Sequence, residues 1–224
     1  MLWACAVLAM VSVIGANLWR DRTGRGDAGA GATTELSAGA GAADDENPDQ
    51  PLRVTRDVPA FSLIDQNDKP VTLESLKGKP FIANFIFTHC QGPCPVMTAK
   101  MATLQKSVPA DLKLISFSVD PAQDRPDVLK SYAAQFAADD ARWHFLTVAD
   151  PSNSKDIYDL AQRMLLAAQP ANEVAKTPVI HSEKFVLVDG DGVIRSYYNS
   201  GSAKQMEQLK SDARDLLEAP PGKK

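Results

Sequence analysis

An α/β domain, with a mixed central sheet covered by helices on both faces, is the fold this sequence predicts. Three observations carry the prediction. Continuous apolar runs such as Phe81-Ile-Ala-Asn-Phe-Ile-Phe87 read as strands buried on both faces, because a half-exposed strand would alternate. Segments with apolar residues at helical spacing fall between such runs, which implies helices laid against a sheet. Finally, Asp189-Gly190-Asp191-Gly192 separates two short apolar runs and is a strong hairpin signal, so antiparallel strands join the sheet near its end.

The elements follow in order. Residues 1–19 contain no charged side chain, and as a helix they would span about 28 Å, the thickness of a bilayer core. They read as a retained transmembrane anchor rather than a cleaved signal peptide, since a basic start and a good small-residue cleavage pattern are missing. Arg20, Arg22 and Arg25 follow the apolar run, an arrangement that by the positive-inside rule alone would hold the rest of the chain in the cytoplasm. Residues 20–50 are dominated by Gly, Ala and acidic residues, which cannot bury enough surface to offset the entropy of ordering. They read as a flexible tether, and residues 51–224 as the folded domain.

Within the domain, Phe61 to Asp65 and Val71 to Leu73 flank the polar Asn67-Asp68-Lys69-Pro70 and form a hairpin. The buried strand ending at Phe87 is followed by a helix from Pro95, with Val96, Met97, Met101 and Leu104 on its apolar face. Leu112 to Val119 is a second buried strand, and Asp127 to Ala138 a helix opened by Pro126. Trp143 to Val148 is strand, Asp156 to Leu166 helix. Phe185 to Val188 and Val193 to Tyr197 make the terminal hairpin, and Lys204 to Leu217 the closing amphipathic helix. This order resembles the thioredoxin-like fold.

Charge excludes one class of partner. The formal net charge is −4 and no run of Lys and Arg occurs, so no nucleic-acid surface is expected. Only three cysteines are present, too few for a disulfide-stapled scaffold. Cys5 stands alone in the apolar start and reads as a packed residue. Cys90 and Cys94 are the close pair.

That pair lies in Thr88-His89-Cys90-Gln91-Gly92-Pro93-Cys94-Pro95, where the strand gives way to the helix. Pro95 suits a first helical turn, which places Cys94 at or beside the N-cap, where the unpaired N–H groups and the dipole would favour its thiolate. Two soft thiolates at close range suit Cu(I), Zn(II) or a disulfide. The three residues between them, one more than in thioredoxin-type dithiol enzymes, open the loop enough for an ion. Three histidines exist. His181 lies just before the strand Phe185 to Val188, in a loop that approaches the active-site helix of a thioredoxin-like sheet, and is the candidate third ligand. His89 should face solvent or support the site from behind, and His144 should be a surface or internally satisfied histidine. Met97 and Met101 read as core, not as ligands.

Several motifs together resemble the Sco (SenC) family: Phe87-Thr88-x-Cys90-x-x-x-Cys94-Pro95, Ser118-Val119-Asp120-Pro121 with Asp124 and Pro126, Trp143-x-Phe145-Leu146-Thr147, and His181-Ser182 ahead of Leu187-Val188-Asp189. The resemblance runs through most of residues 54–217. It implies copper, as Cu(I) or Cu(II), held by Cys90, Cys94 and His181, and delivery to the dinuclear copper centre of cytochrome c oxidase. It further implies a redox-active Cys90–Cys94 pair, contact with other periplasmic copper or thiol carriers, and an inner-membrane anchor with the domain facing the periplasm. The competing function is a thiol–disulfide oxidoreductase that uses the same cysteines and leaves His181 without a ligand role. Gln91, Arg125 and Val148 depart from the family's common Pro, Thr and Gly; none is a proposed ligand.

Overall fold

The computed structural model of the chain describes residues 49–165 and 182–218. The expected anchor over 1–19, Cys5, nearly all of the 20–50 tether and His181 lie outside the described residues. Among the described residues no helix is long and apolar enough to cross a membrane.

The strands are β1 (Leu52–Asp57), β2 (Ser62–Ile64), β3 (Pro70–Thr72), β4 (Phe81–Ile86), β5 (Lys113–Ser118), β6 (Trp143–Leu146), β7 (Lys184–Val188) and β8 (Val193–Asn199). The helices are α1 (Leu73–Leu76), α2 (Pro93–Ser107), α3 (Pro126–Gln135), α4 (Ser154–Leu165) and α5 (Ala203–Glu218). Six strands form one sheet in the order β1-β8-β7-β4-β5-β6, while β2 and β3 pair as a separate hairpin. β4 runs parallel to β5 and β5 to β6, whereas β7 lies antiparallel to β4 and to β8. The sheet is mixed, as the sequence predicts.

The continuous apolar run of β4 is explained by its place. All six of its residues are buried, because the strand is central and both faces are covered. Phe81, Phe85, Ile115 and Phe117 pack on one side with Ile157, Leu160 and Met164 of α4. On the other side Ile82, Ile86 and Leu114 meet Met97, Met101 and Leu104 of α2, Leu129 of α3 and Leu209 of α5. One polar pair interrupts this second core: Ser116 Oγ donates to Asn84 Oδ1 at 2.7 Å and accepts from Trp143 Nε1 at 3.0 Å.

Turn chemistry fixes the connections. Asp189 Oδ1 accepts from the N–H of Asp191 and of Val193, and Gly192 takes the left-handed φ of +83° that closes the β7–β8 hairpin. The β2–β3 turn works likewise, with Asp65 Oδ1 accepting from Asn67 N and Lys69 N. Its neighbour Gln66 turns inward, only 1% exposed, and faces the β6 edge of the sheet. Gln66 Nε2 donates to the Trp143 carbonyl at 3.0 Å and its Oε1 accepts from Phe145 N at 2.8 Å.

Several elements differ from expectation. The helix expected over Asp127 to Ala138 stops at Gln135, because Ala137 turns left-handed at φ +52° and Ala138 N donates back to the Ala133 carbonyl. This is a Schellman stop, with alanine where glycine is usual. The strand from Trp143 leaves the sheet at Leu146, since Thr147 exchanges backbone hydrogen bonds with Ile64 of the hairpin instead. β1 has no counterpart among the expected elements; it pairs antiparallel with β8 through a register slip between Arg53 and Arg56.

Candidate metal centre

β4 carries the chain to Phe87, and a tight turn follows in which Cys90 N donates to the Phe87 carbonyl at 3.3 Å. Gly92 then occupies the N-cap of α2, which starts at Pro93 rather than Pro95. Cys94 is therefore the second residue of the helix, not its cap. Pro93 and Pro95 both lie in the first turn, where a missing N–H leaves no intrahelical bond unmade. Cys90 and Cys94 are both free thiols and both buried, 8% and 5% exposed. The two thiols act on one another, and each is a cause of the other's pKa shift.

The two thiols are poised in opposite senses. Burial acts first on Cys94 and, with the hydrogen bond to Cys90 and the nearby charges of Cys90 and Asp124, pushes its thiol up to about 12. A backbone hydrogen bond at Phe87 only partly offsets this. Cys90 also meets a burial penalty, but the Cys94 side chain and the backbone N–H groups of Cys94 and Gly92 outweigh it, so its pKa is lowered. The expectation that the helix start favours a thiolate at Cys94 is thus overturned. The open N–H groups at the start of α2 serve the sulfur of the preceding loop residue, while Cys94 is drawn into the core beneath its own helix.

The surroundings account for the remaining candidates. His89 is half-exposed; its Nε2 lies 3.3 Å from Asp120 Oδ2 and its ring meets Phe87 edge-on at 5.1 Å. His144 Nδ1 lies 3.2 Å from Asp65 Oδ2, an internally satisfied histidine. Met97 and Met101 are 1% and 0% exposed within the core, as expected of packing residues. Val96 departs from expectation: it is 55% exposed and faces away from the buried side of α2. Among the described residues no group of three or more His, Cys, Asp or Glu side chains gathers to hold a metal. Ser182 and Glu183 do enter β7 at the end of the sheet where β4 delivers Cys90, because Ala83 pairs with Val186 in the antiparallel register. The donor set of two adjacent thiols suits a soft ion such as Cu(I).

Sequence reasoning assigned no role to the buried polar groups behind the loop. Asp124 is 0% exposed and accepts from Thr88 and from Ser118 Oγ. Thr98 Oγ1 donates to the Cys94 carbonyl at 2.9 Å and lies 3.0 Å from the Tyr132 hydroxyl. The only sequence signal for the first group was its membership in the Ser118-to-Pro126 motif.

With this geometry in place, comparison with known proteins is decisive. The SCO1/SenC family model matches residues 50–218. The chain belongs to the SCO1/SenC family. The SCO1 protein homolog of Bacillus subtilis is 38% identical over 161 residues, covering 70% of this chain and 81% of that protein. The structure of BsSco, in which a disulfide switch was identified, is that of a member of the Sco family of cytochrome c oxidase assembly proteins. It superimposes with a TM-score of 0.63 at 36% identity, covering 75% of this chain and 97% of BsSco. Bradyrhizobium japonicum ScoI, solved with copper bound, gives 0.54 at 28% identity over 71% of this chain and 98% of ScoI. The thioredoxin-like fold expected from the element order is that of these Sco structures.

Proposed function

We propose that this protein binds a single copper ion through Cys90, Cys94 and His181 and delivers it to the dinuclear copper centre of cytochrome c oxidase. The observation that carries the reading is the pair of free, buried thiols, Cys90 and Cys94, at the strand-to-helix junction, in a chain of the family to which the copper-bound ScoI belongs. Copper is cargo in this reading. Two thiolates and an imidazole leave a soft ion under-coordinated, so an incoming ligand from the acceptor can displace them one at a time. The buried flank of the site keeps water from competing, and its loop flank gives the acceptor access. Residues 1–19 would anchor the chain in a bacterial inner membrane with the domain in the periplasm. The Gly/Ala/acidic tether would give it a reach of a few nanometres, as expected of a flexible chain.

The test is anaerobic Cu(I) titration of the full-length chain against a competing chelator. The Cys90→Ser and Cys94→Ser variants should lose binding and His181→Ala should weaken it; unchanged affinity in His181→Ala would remove the third ligand. Mass analysis of the mature protein and a compartment-specific reporter fusion test the anchor, and a cytoplasmic domain would remove the proposed client.

The opposite bias of the two thiols supports a second reading, thiol–disulfide exchange. The Cys90 thiolate would attack a client disulfide and form a mixed disulfide. Cys94 would then lose its proton, attack Cys90 sulfur and release the reduced client, leaving the Cys90–Cys94 disulfide. Turnover of disulfide substrates without copper transfer to an oxidase copper-site fragment would favour this second reading over the first.

A further inference from the structure

Cys90 is presented by a turn whose two central residues, Thr88 and His89, are each held from outside. Thr88 is bound three ways by Asp124: its N–H lies 3.0 Å from Oδ2 and 3.3 Å from Oδ1, and its Oγ1 donates to Oδ1 at 2.5 Å. His89 Nε2 lies 3.3 Å from Asp120 Oδ2. Both carboxylates come from the loop between β5 and α3. That loop is itself closed by backbone bonds from Gln123 N and Asp124 N to the Asp120 carbonyl, at 3.1 and 2.9 Å. Ser118 Oγ ties the two ends together, donating to Asp124 Oδ2 at 2.6 Å and accepting from Asp120 N at 3.1 Å.

A carboxylate with no exposed surface is costly unless its lone pairs are fully used. Asp124 meets that condition, since both oxygens accept and every donor is a group on the turn or on the end of β5. A neutral side chain could fill the same space without the desolvation penalty. What the carboxylate adds is stiffness, because short charge-assisted hydrogen bonds resist displacement more than neutral ones.

We infer that Asp124, with Asp120 in support, is a positioning residue for the metal site: the β5–α3 loop clamps the Thr88–His89 turn and so fixes where the Cys90 sulfur stands relative to Cys94. The inference rests on the copper-binding reading above. It makes Thr88 the joint through which the clamp acts, since the Thr88 hydroxyl is the group that couples the buried carboxylate to the turn. Releasing the joint leaves both sulfurs present but lets the spacing between them relax, which weakens the site and changes the overlap of sulfur with metal.

The experiment uses the full-length chain and copper alone as the probe. Thr88→Val keeps the shape and removes the hydroxyl donor; Thr88→Ser keeps the donor and serves as the rescue. Thr88→Val should fold with an unchanged circular-dichroism spectrum, bind Cu(I) about tenfold more weakly and shift the thiolate-to-Cu(II) charge-transfer band. Thr88→Ser should restore both. Asp124→Asn should show the same spectroscopic shift where it folds. Thr88→Val with native affinity and an unshifted band overturns the clamp, and so does a Thr88→Ser as impaired as Thr88→Val. Either result leaves the copper reading intact provided Cys90→Ser abolishes binding. If Cys90→Ser binds copper as the native chain does, the copper reading itself fails, whatever the Thr88 variants do.

Discussion

The opposite bias of the two thiols predicts which cysteine reacts first, and the structure sets the size of the difference. Reduced, metal-free protein is treated with a limiting amount of iodoacetamide near neutral pH, and peptide mass spectrometry locates the alkylated residue. Cys94 is raised from its ordinary value of 9.0 to about 12, so its thiolate population falls by about three powers of ten, while that of Cys90 rises. The more basic thiolate is intrinsically the better nucleophile, which returns roughly half of that on a logarithmic scale. Cys90 should therefore be modified at least about thirtyfold faster than Cys94. Access acts in the same direction, because Cys94 is the more deeply enclosed of the two thiols. Equal labelling, or faster labelling of Cys94, would refute the assignment of the helix-start N–H groups to Cys90.

Other outcomes follow from the same structure. In the reduced, metal-free protein Cys94 stays neutral when folded but ionises near 9.0 when unfolded. Its contribution to stability is therefore complete below pH 9 and is lost as pH rises towards about 12; chemical denaturation across that window should show a steeper loss in the native chain than in Cys94→Ser. Arg142, 8% exposed, donates Nη1 to the Gln105 carbonyl and Nη2 to those of Pro109 and Leu112, and so closes the end of α2 onto β5. Arg142→Met loses all three bonds but also removes a buried Nε that has no partner among the described residues, so a net loss of about 2–3 kcal/mol is expected. Calorimetry should find Tm lower by about 4–12 °C, and an unchanged Tm would refute the capping role. Met101→Ala, at a fully buried site, should cost about 2–5 kcal/mol in urea denaturation while Cys90 remains the faster thiol.

The sheet was legible because burial on two faces leaves a short continuous apolar run rich in branched and aromatic residues. Phe81 to Ile86 is apolar except for one asparagine, and its place at the centre follows. β1 left no such mark. Leu-Arg-Val-Thr-Arg-Asp alternates, but four of its residues are exposed, and backbone pairing with β8 holds it more than side-chain burial does. The cysteines were legible from spacing and from the junction they occupy. Their electrostatics were not, since the sulfur favoured by the helix start depends on where α2 begins, and two prolines two residues apart allow either start. Asp124 was legible only as part of a motif. Aspartate is usually a surface residue, and nothing local distinguishes one whose partner Thr88 arrives from 36 positions earlier in the chain.

Gln66 bears on how this protein can be recognised. Its side-chain amide stands where the peptide group of a further strand would stand, with donor and acceptor matched to the Trp143 carbonyl and the Phe145 N–H. An outermost strand ordinarily offers those groups to any extended segment that drifts past, whether from another copy or from an unfolded client. Here the offer is already taken by the side-chain amide of one glutamine, braced by the hairpin that carries it. Annexation of a foreign strand at this edge would first have to evict that amide and break its bonds to the Trp143 carbonyl and the Phe145 N–H. The β6 edge is in this way closed to strand addition, and contact is diverted to loops, where it can be brief.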